Sequence, residues 1–243
     1  MPVTELKLQY ESSVLKEDNA VAIIVAAGTS SRMNGINKQL AQVGGMPVIA
    51  RTVSKFESSP YISRIILVVN ENDILTVQNI CSKNMFDKVT DIIKGGSCRH
   101  ESVLNGLAML SKDEEKVVIH DGARPLVNDC NIKEVVLNLN DFACVTSVVK
   151  IVDTIKSLNA DGTVKNTVDR TNLYLSQTPQ GIRVSEYYSA LKQIKNPKDF
   201  TDDAAIMEAA GKTVKTVEGS RENIKITTRE DLSFAEAFLK EEE

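Results

Sequence analysis

The stretch Ala26-Ala27-Gly28, followed by Arg32 and then Lys38, is the part of the chain best suited to chemistry. Small residues where a buried strand opens into a loop let backbone N–H groups approach a phosphate closely, and the two cations can neutralise its charge. This spacing points to a polyphosphate cradle. The same residues are also compatible with a plain tight turn beside surface charges. Neither Gly-x-Gly-x-x-Gly nor Gly-x-x-x-x-Gly-Lys followed by Ser or Thr occurs, so a Rossmann dinucleotide site and a Walker-type ATP site both lose support.

Asp121 is the next candidate. It follows the apolar run Val117-Val118-Ile119-His120 and opens a Gly122-Ala123-Arg124-Pro125 turn. Ligands of open α/β sheets commonly bind at such strand ends. Asp121 is equally readable as a turn or helix-capping residue, and Arg124 as half of a structural ion pair. His100 and His120 have no Ser or Cys nucleophile at a suggestive spacing, and both are assigned to structure or site walls. Cysteines 81, 98, 130 and 144 contain no Cys-x-x-Cys, match no zinc framework with two histidines, and are expected as reduced thiols.

The elements that must position these residues follow from periodicity. Short, nearly continuous apolar runs predict strands over 21–26, 65–69, 117–120 and 144–149, covered on both faces. Apolar residues at spacings of three and four predict helices over 47–56, 73–83, 101–110 and 132–138. This alternation wraps helices around a mainly parallel sheet. Residues 151–172 break it. They are polar, contain the turn signal Asn159-Ala160-Asp161-Gly162, and predict a protruding β-hairpin that can serve as a dimerisation arm. Helices near 184–194 and 202–210, a strand near 213–217, a helix from 229 and a frayed tail at 241–243 complete the chain. Asp202 and Asp203 are expected to cap the helix they begin. No repeat or linker divides the sequence, so one domain is expected over 20–240, preceded by an extension over 1–19.

The 243 residues are 42% hydrophobic and 26% charged, with a net charge of −4. No apolar run approaches the roughly 18 residues that cross a bilayer. The mildly acidic balance offers no general attraction for nucleic acid or acidic membrane. Glu5, Glu11, Glu17 and Asp18 fall where a signal or transit peptide would be apolar or basic, so a cytoplasmic protein is expected.

Ala26-Ala27-Gly28 with Arg32-Met33 and Lys38-Gln39 resembles the signature of the sugar-phosphate nucleotidyltransferases. Further blocks are similar to the 2-C-methyl-D-erythritol 4-phosphate cytidylyltransferases among them. These are Gly95-Gly96-Ser97-Cys98-Arg99 with Ser102-Val103, His120-Asp121-Gly122-Ala123-Arg124-Pro125, Asp153-Thr154-Ile155-Lys156, Val168-Asp169-Arg170, Gln177-Thr178-Pro179-Gln180, Thr201-Asp202-Asp203 and Asn223-Ile224-Lys225-Ile226-Thr227. The resemblance runs in order from about residue 21 to the C-terminus.

The resemblance implies an α/β fold: a Rossmann-like, mostly parallel sheet sandwiched by helices, of nucleotide-diphospho-sugar transferase type. It implies transfer of CMP from CTP to methylerythritol phosphate, with pyrophosphate released, in the non-mevalonate route to isoprenoids. Two anions must meet in that reaction, so positioned cations are the main catalytic need and no general base is required. Arg32, Lys38 and Lys225 would surround the triphosphate, beside Ala26, Ala27 and Gly28. Gly96, Arg99 and Ser102 would read the cytosine, and Asp121, Gly122 and Arg124 would face ribose and acceptor. Arg170, Thr154, Thr178 and Thr201 would grip the acceptor phosphate, with Thr154 and Arg170 coming from the partner subunit of a homodimer. Magnesium would be held mostly by CTP oxygens and water, with Asp121 the nearest carboxylate and no protein ligand assigned.

Two positions depart from the family pattern: Ser30 stands where a second glycine is usual, and Asn34-Gly35 shifts the glycine after Arg-Met. Three readings remain open from the sequence. One is the methylerythritol phosphate enzyme, which the acceptor-side blocks favour; the second is a related ribitol 5-phosphate cytidylyltransferase; the third is a catalytically silent nucleotide-binding dimeric scaffold.

Overall fold

The computed structural model describes residues 18–28, 33 and 37–241, without the side chains of 240 and 241. Ser30, Arg32, Asn34 and Gly35, nearly all of the extension and the last two tail residues lie outside this set. In chain order the elements are β1 (Ala20–Ala26), β2 (Gln42–Val43), β3 (Met46–Pro47), α1 (Val48–Ser58), β4 (Ile62–Val69), α2 (Ile74–Asn84), β5 (Val89–Lys94), α3 (Arg99–Leu107), β6 (Lys116–Asp121), α4 (Asp129–Asn138), β7 (Cys144–Lys150), β8 (Ile155–Leu158), β9 (Val164–Val168), β10 (Tyr174–Arg183), α5 (Val184–Leu191), α6 (Asp203–Ala209), β11 (Val214–Glu218) and α7 (Arg229–Glu241).

β1 reads Ala-Val-Ala-Ile-Ile-Val-Ala, apolar at every position. Alternate side chains of a strand point to opposite faces, so such a strand is stable only with both faces covered. Ala22 and Ile24 pack on one side with Ile49, Val53 and Phe56 of α1 and Ile132 and Val135 of α4. Val21 and Ile23 pack on the other with Val103 and Leu107 of α3, Tyr187 of α5 and Met207 of α6. The expected sandwich is therefore present, with β1 as its central beam. Each fully buried aliphatic side chain in it contributes about 1.5–3 kcal/mol by leaving water.

The seven-stranded sheet has the order β11-β7-β10-β6-β1-β4-β5. From β1 the chain steps outward through β4 and β5, then returns to lay β6 against the opposite edge of β1, parallel to it. The order reverses between β1 and β6, which opens a crevice beyond their C-terminal ends. Only β10 runs against its neighbours, pairing antiparallel with both β6 and β7. Periodicity gave no strand there, because Gln177-Thr178-Pro179-Gln180 looks like a loop. The register shift between Gln177 and Gln180 is the irregularity that lets proline sit inside a sheet. Edge strand β5 was not anticipated either.

β8 and β9 form the expected hairpin as a separate two-stranded sheet, with Gly162 in the left-handed region at φ 84°. Val152, Leu158, Val164, Tyr174 and Leu175 on and beside this arm are exposed. Asp202 caps α6, its carboxylate accepting from the Ala205 N–H at 2.9 Å, as expected. Among the described residues no helix is long and apolar enough to cross a membrane.

Candidate active site

Beyond the C-terminal ends of β1 and β6 lies a cavity of about 410 Å³, lined by Ala27, Gly28, Lys38, Gly96, Arg99, Ser102, Asp121 and Lys225 among others. A smaller cavity of about 200 Å³ shares Arg99, Asp121 and Lys225 and adds Arg124, Thr178 and Thr201. Three of the shared or adjoining cations converge on one carboxylate. Asp121 meets Lys225 Nζ at 2.8 Å, Arg99 Nε at 3.3 Å and Arg124 Nε at 3.5 Å. Burial alone would raise the Asp121 carboxyl, but Arg99, Lys225 and Arg124 overcome it and hold it well below the usual carboxylate range.

Each of these side chains is placed by its element. Asp121 ends β6, and its own N–H donates to Thr178 Oγ1 at 3.0 Å, which leaves the Thr178 hydroxyl hydrogen for another partner. Lys225 is carried by a segment docked back onto the turn after β6, with Ile226 N–H donating to Ala123 O at 2.8 Å. Arg124 Nη1 donates to Asn223 O at 2.7 Å, and Asn223 Nδ2 to Thr178 O at 2.8 Å. Lys38 sits in a turn that Asn37 braces: Asn37 Oδ1 accepts from Gln39 N–H at 3.1 Å, and Asn37 Nδ2 donates to Asp73 at 2.8 Å.

The loop after β5 needs its glycines for close approach. A Cβ on Gly95 would come within 2.2 Å of Ala27 Cβ, so the loop passes directly over the exit of β1. Ser102 accepts from Gly96 N–H at 3.1 Å and donates to Cys98 O at 3.0 Å. Its hydroxyl thus shapes the loop that was expected to read the base. Glu101 Oε2 accepts from Ser97 N–H and Oγ, and Lys198 closes over its other oxygen. Lys198 and Ser97 together pull the Glu101 carboxyl down to about 2.

Arg99 is held on two sides, by Asp121 and by Asp203, whose Oδ2 lies 2.7 Å from Arg99 Nη1. Arg99 lines both cavities, and its Nη2 is buried with no hydrogen-bond partner among the described residues. His120 is fully buried; its Nε2 lies 3.1 Å from Arg124 O and its ring packs on Phe56. Burial pushes it down to about 3, so it is neutral and structural at neutral pH, as the sequence implied. All four cysteines are free thiols.

The structure thus brings together, in two adjoining cavities, most of the residues singled out from sequence. Ala26 and Gly122 stand beside them as the last residue of β1 and the first after β6. Arg32 lies outside the described residues. Thr154 and Arg170 do not join the cleft of their own chain: both are exposed on the arm. Sequence reasoning missed Gln39, which is buried in the cavity wall, Asn223, and above all Asp203, expected to be a cap but buried as an ion-pair partner.

The residue pattern extends to known proteins. The family model IspD, 2-C-methyl-D-erythritol 4-phosphate cytidylyltransferase, matches residues 20–241. A 2-C-methyl-D-erythritol 4-phosphate cytidylyltransferase of Geobacillus kaustophilus is 42% identical over 223 residues, covering 91% of this chain and 97% of its own. One of Clostridium novyi is 41% identical over 221 residues, covering 90% and 95%. Among solved structures, the 4-diphosphocytidyl-2C-methyl-D-erythritol synthase of Anaerococcus prevotii superposes with a TM-score of 0.81 at 30% identity, covering 94% of this chain and 99% of that one. With near-complete coverage in both directions and the cation cluster in place around Asp121, the chain belongs to the 2-C-methyl-D-erythritol 4-phosphate cytidylyltransferase family.

Proposed function

We propose that this chain transfers CMP from CTP to 2-C-methyl-D-erythritol 4-phosphate in the crevice between β1 and β6. The observation that carries the reading is the convergence of Arg99, Arg124 and Lys225 on Asp121, with Lys38 lining the same cavity. An acceptor phosphate oxygen attacks the α-phosphorus of CTP; the new P–O–P bond forms as the α–β bond breaks and pyrophosphate leaves. Negative charge grows on the equatorial oxygens, and preorganised cations lower the barrier by stabilising it. Lys38, Lys225 and Arg32 take the triphosphate. The loop at Gly95–Gly96 offers backbone groups to the cytosine edge, with Ser102 holding that loop in shape. Arg124, Thr178 and Thr201 face the acceptor from the smaller cavity. Attack by an already ionised phosphate needs no base, and no histidine is among the described residues lining either cavity.

Among the described residues no cluster of three or more His, Cys, Asp or Glu could cage a metal. Asp121 is the carboxylate that would face a divalent cation carried in by the nucleotide. Bound there, such an ion would neutralise phosphate charge. Arg170 and Thr154 enter the reaction from a second copy of the chain. The exposed apolar side chains on and beside the arm, Val152, Leu158, Val164, Tyr174 and Leu175, support this. Free thiols and a small-molecule reaction fit a cytoplasmic enzyme without nucleic acid or membrane partners. The test is pyrophosphate release by the purified chain with magnesium and methylerythritol phosphate, comparing CTP with UTP and ATP. Release confined to CTP supports the reading, and equal use of all three overturns it.

A further inference from the structure

We propose that Asp203 is a positioning residue for the transfer reaction: it fixes Arg99 at the junction of the two cavities. The inference rests on the reading of the crevice as the reaction site. Asp203 is 1% exposed, at the start of α6, on the face of the sheet packed against α3 and α5. A buried carboxylate at such a place is costly, and apolar packing alone would serve stability as well or better. Here it is immobilised from several directions. Tyr187 Oη donates to Oδ1 at 2.9 Å, and Gln180 Oε1 accepts from the backbone N–H of Asp203 at 3.1 Å and of Ala204 at 3.2 Å. The free oxygen, Oδ2, then takes Arg99 Nη1 at 2.7 Å.

The consequence reaches the cleft. With one nitrogen engaged by Asp203, Arg99 presents only Nε to Asp121, at Oδ1, and the other Asp121 oxygen stays with Lys225. Arg99 Nη2 is left without a partner among the described residues. Without Asp203, the guanidinium could turn both of its donors onto Asp121 and compete with Lys225 and Arg124 for two oxygens. Asp203 therefore decides how the positive charges are divided around Asp121. It also ties the wall carrying Thr201 and Asp202 to the helix carrying Ser102.

The test is steady-state kinetics of Asp203→Asn, Arg99→Ala and the double variant, with thermal melting of each. Misplacing a substrate-positioning group by about 1 Å can cost on the order of 10²-fold. Asp203→Asn is expected to lose about that factor in kcat/KM. The double variant is expected to be no worse than Arg99→Ala alone, because Asp203 acts through Arg99. Losses that multiply in the double variant, or wild-type kinetics in Asp203→Asn, would overturn the proposal. Tyr187→Phe keeps the carboxylate and provides the same cycle if Asp203→Asn does not fold: a smaller loss, absent in the Arg99→Ala background, is expected, and an unchanged rate counts against the proposal. An inactive wild-type chain would instead overturn the reading of the cleft, and this inference with it.

Discussion

Asp121→Asn removes the charge on which the site is centred and leaves the shape nearly unchanged. Three cations lie at 2.8, 3.3 and 3.5 Å from its oxygens, and in the variant they face one another with only Asp203 in opposition. Removing one partner from a buried ionic network costs about 3–5 kcal/mol. Lys225 is 38% exposed and can turn its ammonium into water, which puts the expected cost near the lower figure, ~3 kcal/mol. For a chain of this size each kcal/mol moves Tm by about 2–4 °C, so the variant should melt about 6–12 °C lower at pH 7. The pH dependence follows from the sign of the shift. The folded state depresses the Asp121 pKa, so its contribution is complete above the unfolded value of about 3.9 and is lost as pH falls towards the folded value. The melting gap between wild type and variant should stay constant between about pH 5 and 8 and close only under stronger acid. Scanning calorimetry across that range decides it. An unchanged Tm at pH 7, or a gap that closes near pH 6, would refute the account of the cluster.

Further outcomes are expected. Lys38→Ala should slow turnover by ~10²- to 10³-fold with the fold retained, while Arg170→Ala should mainly raise the KM for the acceptor. Co-expressing the two should restore activity in hybrid dimers, where one cleft keeps Lys38 and receives a partner arm with Arg170; no recovery would place Arg170 elsewhere. Gly28→Ala should weaken CTP binding without lowering Tm, because its Cβ would meet no described residue within 4 Å. Gly122→Ala should instead destabilise by about 1–3 kcal/mol, since its Cβ would press on Ala26 Cβ at 2.9 Å and Ile49 Cδ1 at 3.1 Å. Finally, His120 is held near 3 and His100 is also lowered by burial, so unfolding takes up protons below the usual histidine value of 6.5. Stability should therefore begin to fall as pH drops through about 6.5, before carboxylates titrate; a Tm flat from pH 7 to 5 would contradict this.

The parts legible in the sequence are those whose cause is local. β1 and β6 announce themselves because strands covered on both faces need uninterrupted apolar residues, and Ala27-Gly28 and Asp121 stand at their ends. The arm is legible from one turn signal, confirmed by the left-handed Gly162. β10 is not, because its polar residues are satisfied by distant partners: Gln180 donates to Thr146 at 2.9 Å and Gln177 to Ser220 O at 2.9 Å. Asp203 failed for the same reason. Its neighbour Asp202 does cap the helix, so a local reading fits the pair, yet the partner of Asp203 lies 104 residues away along the chain. Thr154 and Arg170 are exposed on the arm, so the part proposed for them in a second copy's cleft has no counterpart in the cleft of their own chain.

The most direct measurement offers the purified protein CTP and magnesium with methylerythritol 4-phosphate or ribitol 5-phosphate in separate reactions, following pyrophosphate and the new diphosphate by phosphorus NMR. Stoichiometric pyrophosphate and product with methylerythritol phosphate alone is the predicted result. Turnover with ribitol phosphate alone, or none with either acceptor despite bound CTP, would contradict it.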